Sequence, residues 1–127
     1  MGVEVAVRDG ILVITGRGDY TIEGFIRTVE GALDAPSWEG RIPVLMDARD
    51  TTLLDVTSAQ MQRVAEMFAS HDDVVEQRRA HLVRPGGKER ARSRVASVVA
   101  RVWFGHEVGV FDDEDEALAW LRTGADG

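Results

Sequence analysis

Cysteine is absent from this 127-residue chain. Its absence excludes disulfide bonds, thiolate metal sites and thiol nucleophiles. No apolar stretch approaches the length of a membrane span, and the first seven residues lack the basic segment and apolar run of a secretion signal. We therefore expect a cytoplasmic protein without a transmembrane segment.

An overall positive charge is lacking too, because the net charge is −7. This argues against a nucleic-acid partner. The charge is unevenly distributed, however: residues 78–101 contain eight basic residues against Glu89 alone, so this segment is +7 and the remainder is −14. The basic segment is therefore a candidate surface for an anionic partner.

No catalytic constellation is recognisable. The three histidines, at positions 71, 81 and 106, do not have the i, i+4 spacing of a helical metal site. No serine lies in a nucleophile elbow, and Gly86-Gly-Lys88 lacks the first glycine and the hydroxyl residue of a phosphate-binding loop. We expect no catalytic residues, no metal, no cofactor and hence no enzyme.

The chain does contain an alternation of short apolar segments and amphipathic helical patterns. Asp9-Gly10 is typical of a tight hairpin between the first two strands. Gly16 to Gly18 are expected to end the second strand, and the continuous apolar run Pro43 to Met46 indicates a strand buried on both faces. Strands are predicted at 3–8, 11–14, 43–46, 80–83 and 108–111, and helices at 22–36, from 57, at about 88–104 and from 113.

This order predicts an α/β fold: a mixed, mostly parallel five-stranded sheet with an N-terminal hairpin, covered by about four helices. The apolar fraction of 44% is sufficient for one core. We assign residues 1–122 to a single domain and expect residues 123–127 to form a frayed tail.

Three local patterns in this order resemble the SpoIIAA-like group of bacterial STAS-type domains. They are Tyr20-Thr-Ile-Glu-Gly-Phe25 after the hairpin, Val44-Leu-Met-Asp-Ala-Arg-Asp50 and the ending from Val110 to Leu121. The resemblance implies a mixed sheet flanked by helices, close to the lipid-binding CRAL-TRIO type. Related anti-sigma-factor antagonists carry a phosphorylated serine in an Asp-Ser pair followed by glycine. The corresponding stretch here, Asp55-Val-Thr-Ser58, departs from that pattern.

The first candidate surface lies between the buried strand and the following helix, where strand ends and a helix N-terminus favour ligands. A partner or a phosphate would meet Asp47, Asp50, Asp55, Thr57 and Ser58 there. The alternative is structural: Thr57 caps the helix in a capping box with Gln60, while the acidic residues form solvated local ion pairs.

The second candidate surface is the basic segment, where positive charge at a helix start opposes the helix dipole. An anion would meet Arg84, Lys88, Arg90, Arg94 and Arg101. The alternative is a solvated polar face that is neutralised by the chain's own acidic residues.

Two functions remain open. The leading hypothesis is a non-catalytic regulatory or scaffolding module that contacts a protein partner of unknown identity. The alternative is a binder of small apolar or lipid-like molecules, with the basic helix facing anionic headgroups and a cavity behind it. A homodimer is the base-rate expectation for oligomeric state.

Overall fold

The computed structural model describes residues 2–51, 56–84 and 105–123. These residues form five strands and three helices. The elements are β1 (Gly2–Arg8), β2 (Ile11–Gly18), α1 (Ile22–Asp34), β3 (Ile42–Thr51), α2 (Ser58–Ala69), β4 (Val75–Leu82), β5 (Glu107–Phe111) and α3 (Glu114–Thr123). The helix predicted at about 88–104 and the residues of the predicted tail after position 123 lie outside the described residues.

The strands form one sheet in the order β1-β2-β3-β4-β5. β1 is antiparallel to β2, and every other neighbouring pair is parallel. Asp9 and Gly10 connect β1 to β2 with φ angles of 53° and 75°, the left-handed conformation that a type I′ turn requires. The predicted mixed, mostly parallel sheet with an opening hairpin is therefore confirmed.

Apolar residues cover both faces of this sheet. One face packs against α1 and α2 in a cluster that contains Val29, Val44 and Phe68. The other face packs against α3 in a cluster that contains Leu45 and Leu121. Because Val44 and Leu45 point to opposite faces and are both buried, β3 is covered on both sides, as its continuous apolar run predicts.

The second strand is longer than the predicted Ile11 to Ile14, and it ends at the last residue of the predicted Gly16 to Gly18 break. β2 continues to Gly18, with a register shift against β3 between Thr15 and Arg17. Gly16 is needed inside the strand because the ring of Tyr20 lies over it. A Cβ at position 16 would lie 2.5 Å from the Tyr20 hydroxyl oxygen.

β4 begins at Val75, five residues before the predicted start at Ala80. Charged residues hid its first half from sequence analysis. Arg78 lies with its guanidinium carbon 4.0 Å from the centre of the Trp120 ring, and Arg79 lies over the Phe68 ring at 4.4 Å. Each guanidinium packs on an aromatic ring, so these two strand positions hold arginines although the strand pattern calls for apolar residues.

Candidate functional site

The candidate site lies where the parallel strands end. β3 ends at Thr51. The Thr51 hydroxyl donates a hydrogen bond of 3.3 Å to the carbonyl oxygen of Gly18 at the end of β2. Arg84 follows the neighbouring strand β4 by two residues. We call the described candidate residues at this end of the sheet the carboxyl-edge surface; they are Asp47, Asp50, Thr57, Ser58 and Arg84.

Asp47 and Arg49 form the most tightly held pair at this edge. The Arg49 guanidinium donates to both Asp47 carboxylate oxygens, at 3.0 and 2.8 Å, and the Arg49 backbone N–H donates to Oδ1 at 3.1 Å. Partial burial alone would raise the pKa of Asp47, but these hydrogen bonds and the charge of Arg49 outweigh it and lower that pKa. Asp47 is therefore a charged, fixed group.

Arg49 also connects the edge to the C-terminal helix. Its guanidinium lies 3.0 Å from the Glu114 carboxylate in the first turn of α3. The hydrogen bond to Asp47 is the main cause that raises the pKa of Arg49, and Glu114 adds to it. The sequence predicted ion pairs between residues close together in the chain. The structure adds a pair between Arg49 and Glu114, which lie 65 residues apart.

Asp50 and Arg84 join the two surfaces that the sequence treated separately. An Arg84 guanidinium nitrogen lies 3.2 Å from Asp50 Oδ1. Both side chains are largely exposed, at 67% for Arg84 and 63% for Asp50. An ion pair this exposed contributes little to folding stability and can exchange partners readily.

Thr57 is the N-cap of α2, as the sequence predicted. Its hydroxyl oxygen accepts from the Gln60 backbone N–H at 3.1 Å, and the Gln60 side-chain oxygen accepts from the Thr57 N–H at 2.9 Å. Ser58 follows as the first helical residue, and both residues are exposed. The capping box is therefore confirmed, and both hydroxyl residues lie at the surface.

The remaining sequence candidates cannot be placed in this site. Asp55 of the first surface lies outside the described residues. The same holds for four residues of the second surface: Lys88, Arg90, Arg94 and Arg101. Their proposed roles stay predictions.

Sequence analysis missed a cluster of ionisable residues around the buried Arg79 and His106. Arg79, only 3% exposed, donates from Nη1 to Nδ1 of His106 at 2.9 Å. His106, 1% exposed, has its Nε2 atom 3.1 Å from the Asp72 carboxylate, without hydrogen-bond geometry. Burial lowers the pKa of Arg79 to about 10. Burial and the charge of Arg79 together lower the pKa of His106, so that its neutral ring can accept from Arg79.

No sequence pattern indicated this cluster. Arg79 belongs to the basic segment, and charged residues in such segments are usually exposed. Only the packing of α2 against the sheet, which brings Phe68 over Arg79, distinguishes it from Arg84. Arg79 therefore does not join the candidate anion-binding residues.

A groove between α1 and α2 has a volume of about 220 Å³. Its lining is mixed, with the apolar Ile26 and Met67 beside the polar Glu30, Arg63, Glu66 and Ser70. Three charged side chains in this lining do not favour an apolar ligand. The apolar cavity predicted behind the basic helix lies at residues outside the described ranges, so it and the lipid-like ligand stay predictions.

Among the residues described, no group of three or more His, Asp or Glu side chains is placed to hold a metal ion. None of the helices in the described ranges has the length and apolar character needed to cross a bilayer.

The sheet, its opening hairpin and helices on both faces define a class of mixed α/β domains. No family model matches the sequence, and no curated protein matches it. A solved structure does: an uncharacterised protein of the DUF3478 family with a SpoIIAA-like fold from Shewanella loihica PV-4. It aligns with a TM-score of 0.59 and 21% identity over 94% of this chain and 92% of that chain. The chain therefore has a SpoIIAA-like fold, as the sequence resemblance predicted.

Proposed function

We propose that this chain is a non-catalytic regulatory or scaffolding module that binds a protein partner through the carboxyl-edge surface. The observation that carries the proposal is the exposed Asp50–Arg84 ion pair, which joins the ends of two adjacent strands. It offers one charge of each sign at the surface. A protein partner with complementary charges can replace both halves of such a pair.

The surroundings of the pair support this role. Thr51 is bonded to Gly18, and Arg49 is held by Asp47 and Glu114, so the neighbouring groups are fixed. A rigid frame around an exchangeable pair lowers the entropy lost when a partner binds.

Ser58 adds a means of regulation. It lies in the first turn of α2, where the helix dipole favours negative charge. Thr57 is less suited because its oxygen already accepts the capping hydrogen bond. Within the proposal, phosphorylation falls on Ser58 and changes the affinity of the surface for its partner.

The proposal is tested by quantitative affinity capture from the native host, with wild type compared against Asp50→Ala and Arg84→Ala. A protein bound through this surface should be recovered at least about tenfold less with either variant, because each leaves one partner charge unpaired. Ser58→Glu should change recovery of the same protein, whereas Ser58→Ala should not in unphosphorylated material.

Arg63→Ala is the matched control. It removes an exposed ion pair, with Glu23, in which both side chains are about half exposed (52% and 51%) and which lies between helices α1 and α2. It should leave capture unchanged. Equal recovery with wild type, Asp50→Ala and Arg84→Ala would count against the proposal.

A further inference from the structure

β1 is an edge strand with an unpaired side. It pairs with β2 along all seven of its residues. Within the described residues, no strand pairs with its opposite side. An edge of this kind presents backbone N–H and C=O groups that can accept another strand.

The residues on this edge alternate in a self-complementary order. Residues 4–8 read Glu-Val-Ala-Val-Arg, with a negative charge at one end, a positive charge at the other and valines on either side of Ala6. Opposite residues in the hairpin share a face, so Val5 and Val7 lie on the face of Ile14 and Leu12, and Glu4, Ala6 and Arg8 lie on the other. When two copies of this segment run antiparallel with Ala6 opposite Ala6, each charge faces the opposite charge and each valine faces a valine.

Val7 is the exposed large hydrophobic residue of the described part of the chain, at 41%. It lies beyond the residues of β1 that pack against the first core, Val3 and Val5. An exposed valine on an unpaired edge gains stability when a neighbouring strand covers it.

We propose that β1 pairs antiparallel with β1 of a second copy of this chain, about a two-fold axis at Ala6. This register places Glu4 opposite the second copy's Arg8, and Val5 opposite its Val7. The symmetry repeats both contacts, so the dimer contains two cross-strand ion pairs and two valine pairs. The two sheets then continue as one ten-stranded sheet.

Charge complementarity points to a second copy as the occupant. Edge strands are commonly protected by charges of one sign, which repel an identical strand. Here the signs are opposite and equidistant from Ala6. Arg8 has no ion-pair partner among the described residues, whereas Glu4 bonds to Arg17 at 2.7 Å and has a second oxygen available.

The first test measures self-association by sedimentation equilibrium over a concentration series that reaches the millimolar range, since pairing through one edge gives a small, weak interface. Wild type should dimerise. Glu4→Arg and Arg8→Glu each place like charges opposite one another twice, and each should weaken the dimer roughly tenfold. The double variant E4R/R8E exchanges the charges and should restore association. A wild type that remains monomeric, or singles that dimerise as well as wild type, would overturn the proposal.

The second test uses the absence of cysteine, because a single introduced cysteine has only its own symmetry mate to react with. Directly opposite residues of antiparallel strands have Cα atoms about 4.5–5.5 Å apart, which suits a disulfide. Ala6→Cys should form a covalent dimer under mild oxidation. Thr28→Cys, at an exposed position of α1, is the matched control and should remain monomeric. Equal cross-linking of the two variants, or none of Ala6→Cys, contradicts the proposed register.

Discussion

At the residue scale, the local environment decides what each charged group does. Arg79 and Arg84 lie five positions apart in the same basic segment. Arg79 is buried between an aromatic ring and a histidine, whereas the Arg84 side chain is 67% exposed in an ion pair. Arg79 therefore belongs to the interior, and of the two only Arg84 is available to a partner.

The pKa values of His71 and His106 should depart from the usual histidine value in opposite directions. Partial burial of His71 is outweighed by its contacts with the Met67 carbonyl and the Asp34 carboxylate, which raise its pKa above 6.5. Burial and Arg79 lower the pKa of His106 below 6.5. In an NMR titration of the ring protons, His71 should show the higher pKa and His106 the lower one.

The variant Asp34→Asn provides the control for that titration. It should lower the pKa of His71 and leave His106 unchanged, because Asp34 contacts only the first of the two. A pKa for His106 equal to or above that of His71 would contradict the environments described.

Some site residues could be predicted from sequence because their roles are local. Thr57 and Gln60 form a capping box within four residues. Asp47 and Asp50 lie in β3, the strand that its apolar run indicated. The contact between Arg49 and Glu114 could not be predicted, since it joins segments 65 residues apart. Its formation depends on α3 packing across the sheet.

At the element scale, apolar patterns located the strands and polar residues obscured their limits. β3 runs to Thr51, five residues beyond its predicted end, because backbone pairing with β2 continues past the apolar run. β4 starts early because aromatic rings cover its arginines. Hydrogen bonding between strands is a property of the neighbours, and a strand's own sequence does not reveal it.

The capping box of α2 should make a measurable contribution to stability. Thr57→Ala removes the oxygen that accepts the Gln60 N–H, and should lower the free energy of unfolding by about 1 kcal/mol. Thr57→Asn supplies another capping oxygen and should remain close to wild type. Urea denaturation of the three proteins measures both differences, and equal losses for Ala and Asn would contradict a capping role.

At the scale of the whole molecule, acid should destabilise the fold in two steps. His81 and His106 have lowered pKa values, about 3 for His81, caused first by burial and then by Arg79. Their unfolded forms bind protons first, so their contribution is complete above pH 6.5 and is lost as the pH falls towards the folded values. His71 has the opposite dependence because its pKa is raised, and it offsets part of this loss. The shift of His81 is large, so the free energy of unfolding should still fall from about pH 6 to about pH 4. A constant or rising value would contradict this.

Asp47 should act in a lower pH range. Its pKa is lowered in the fold, so its contribution is present above the ordinary value of 3.8 and disappears as the pH falls through the folded pKa. Asp47→Asn should therefore be less stable than wild type near neutral pH, and the difference should shrink in strong acid. A difference that is independent of pH would assign the loss to packing.

Two consecutive residues of β3, Val44 and Leu45, belong to different cores. The same peptide unit thus anchors the layer under α1 and α2 and the layer under α3. Separation of β3 from its neighbours would open both layers, so we expect the two layers to unfold together. A destabilising substitution on either face of β3 should therefore lower the free energy of unfolding of the described elements as a whole.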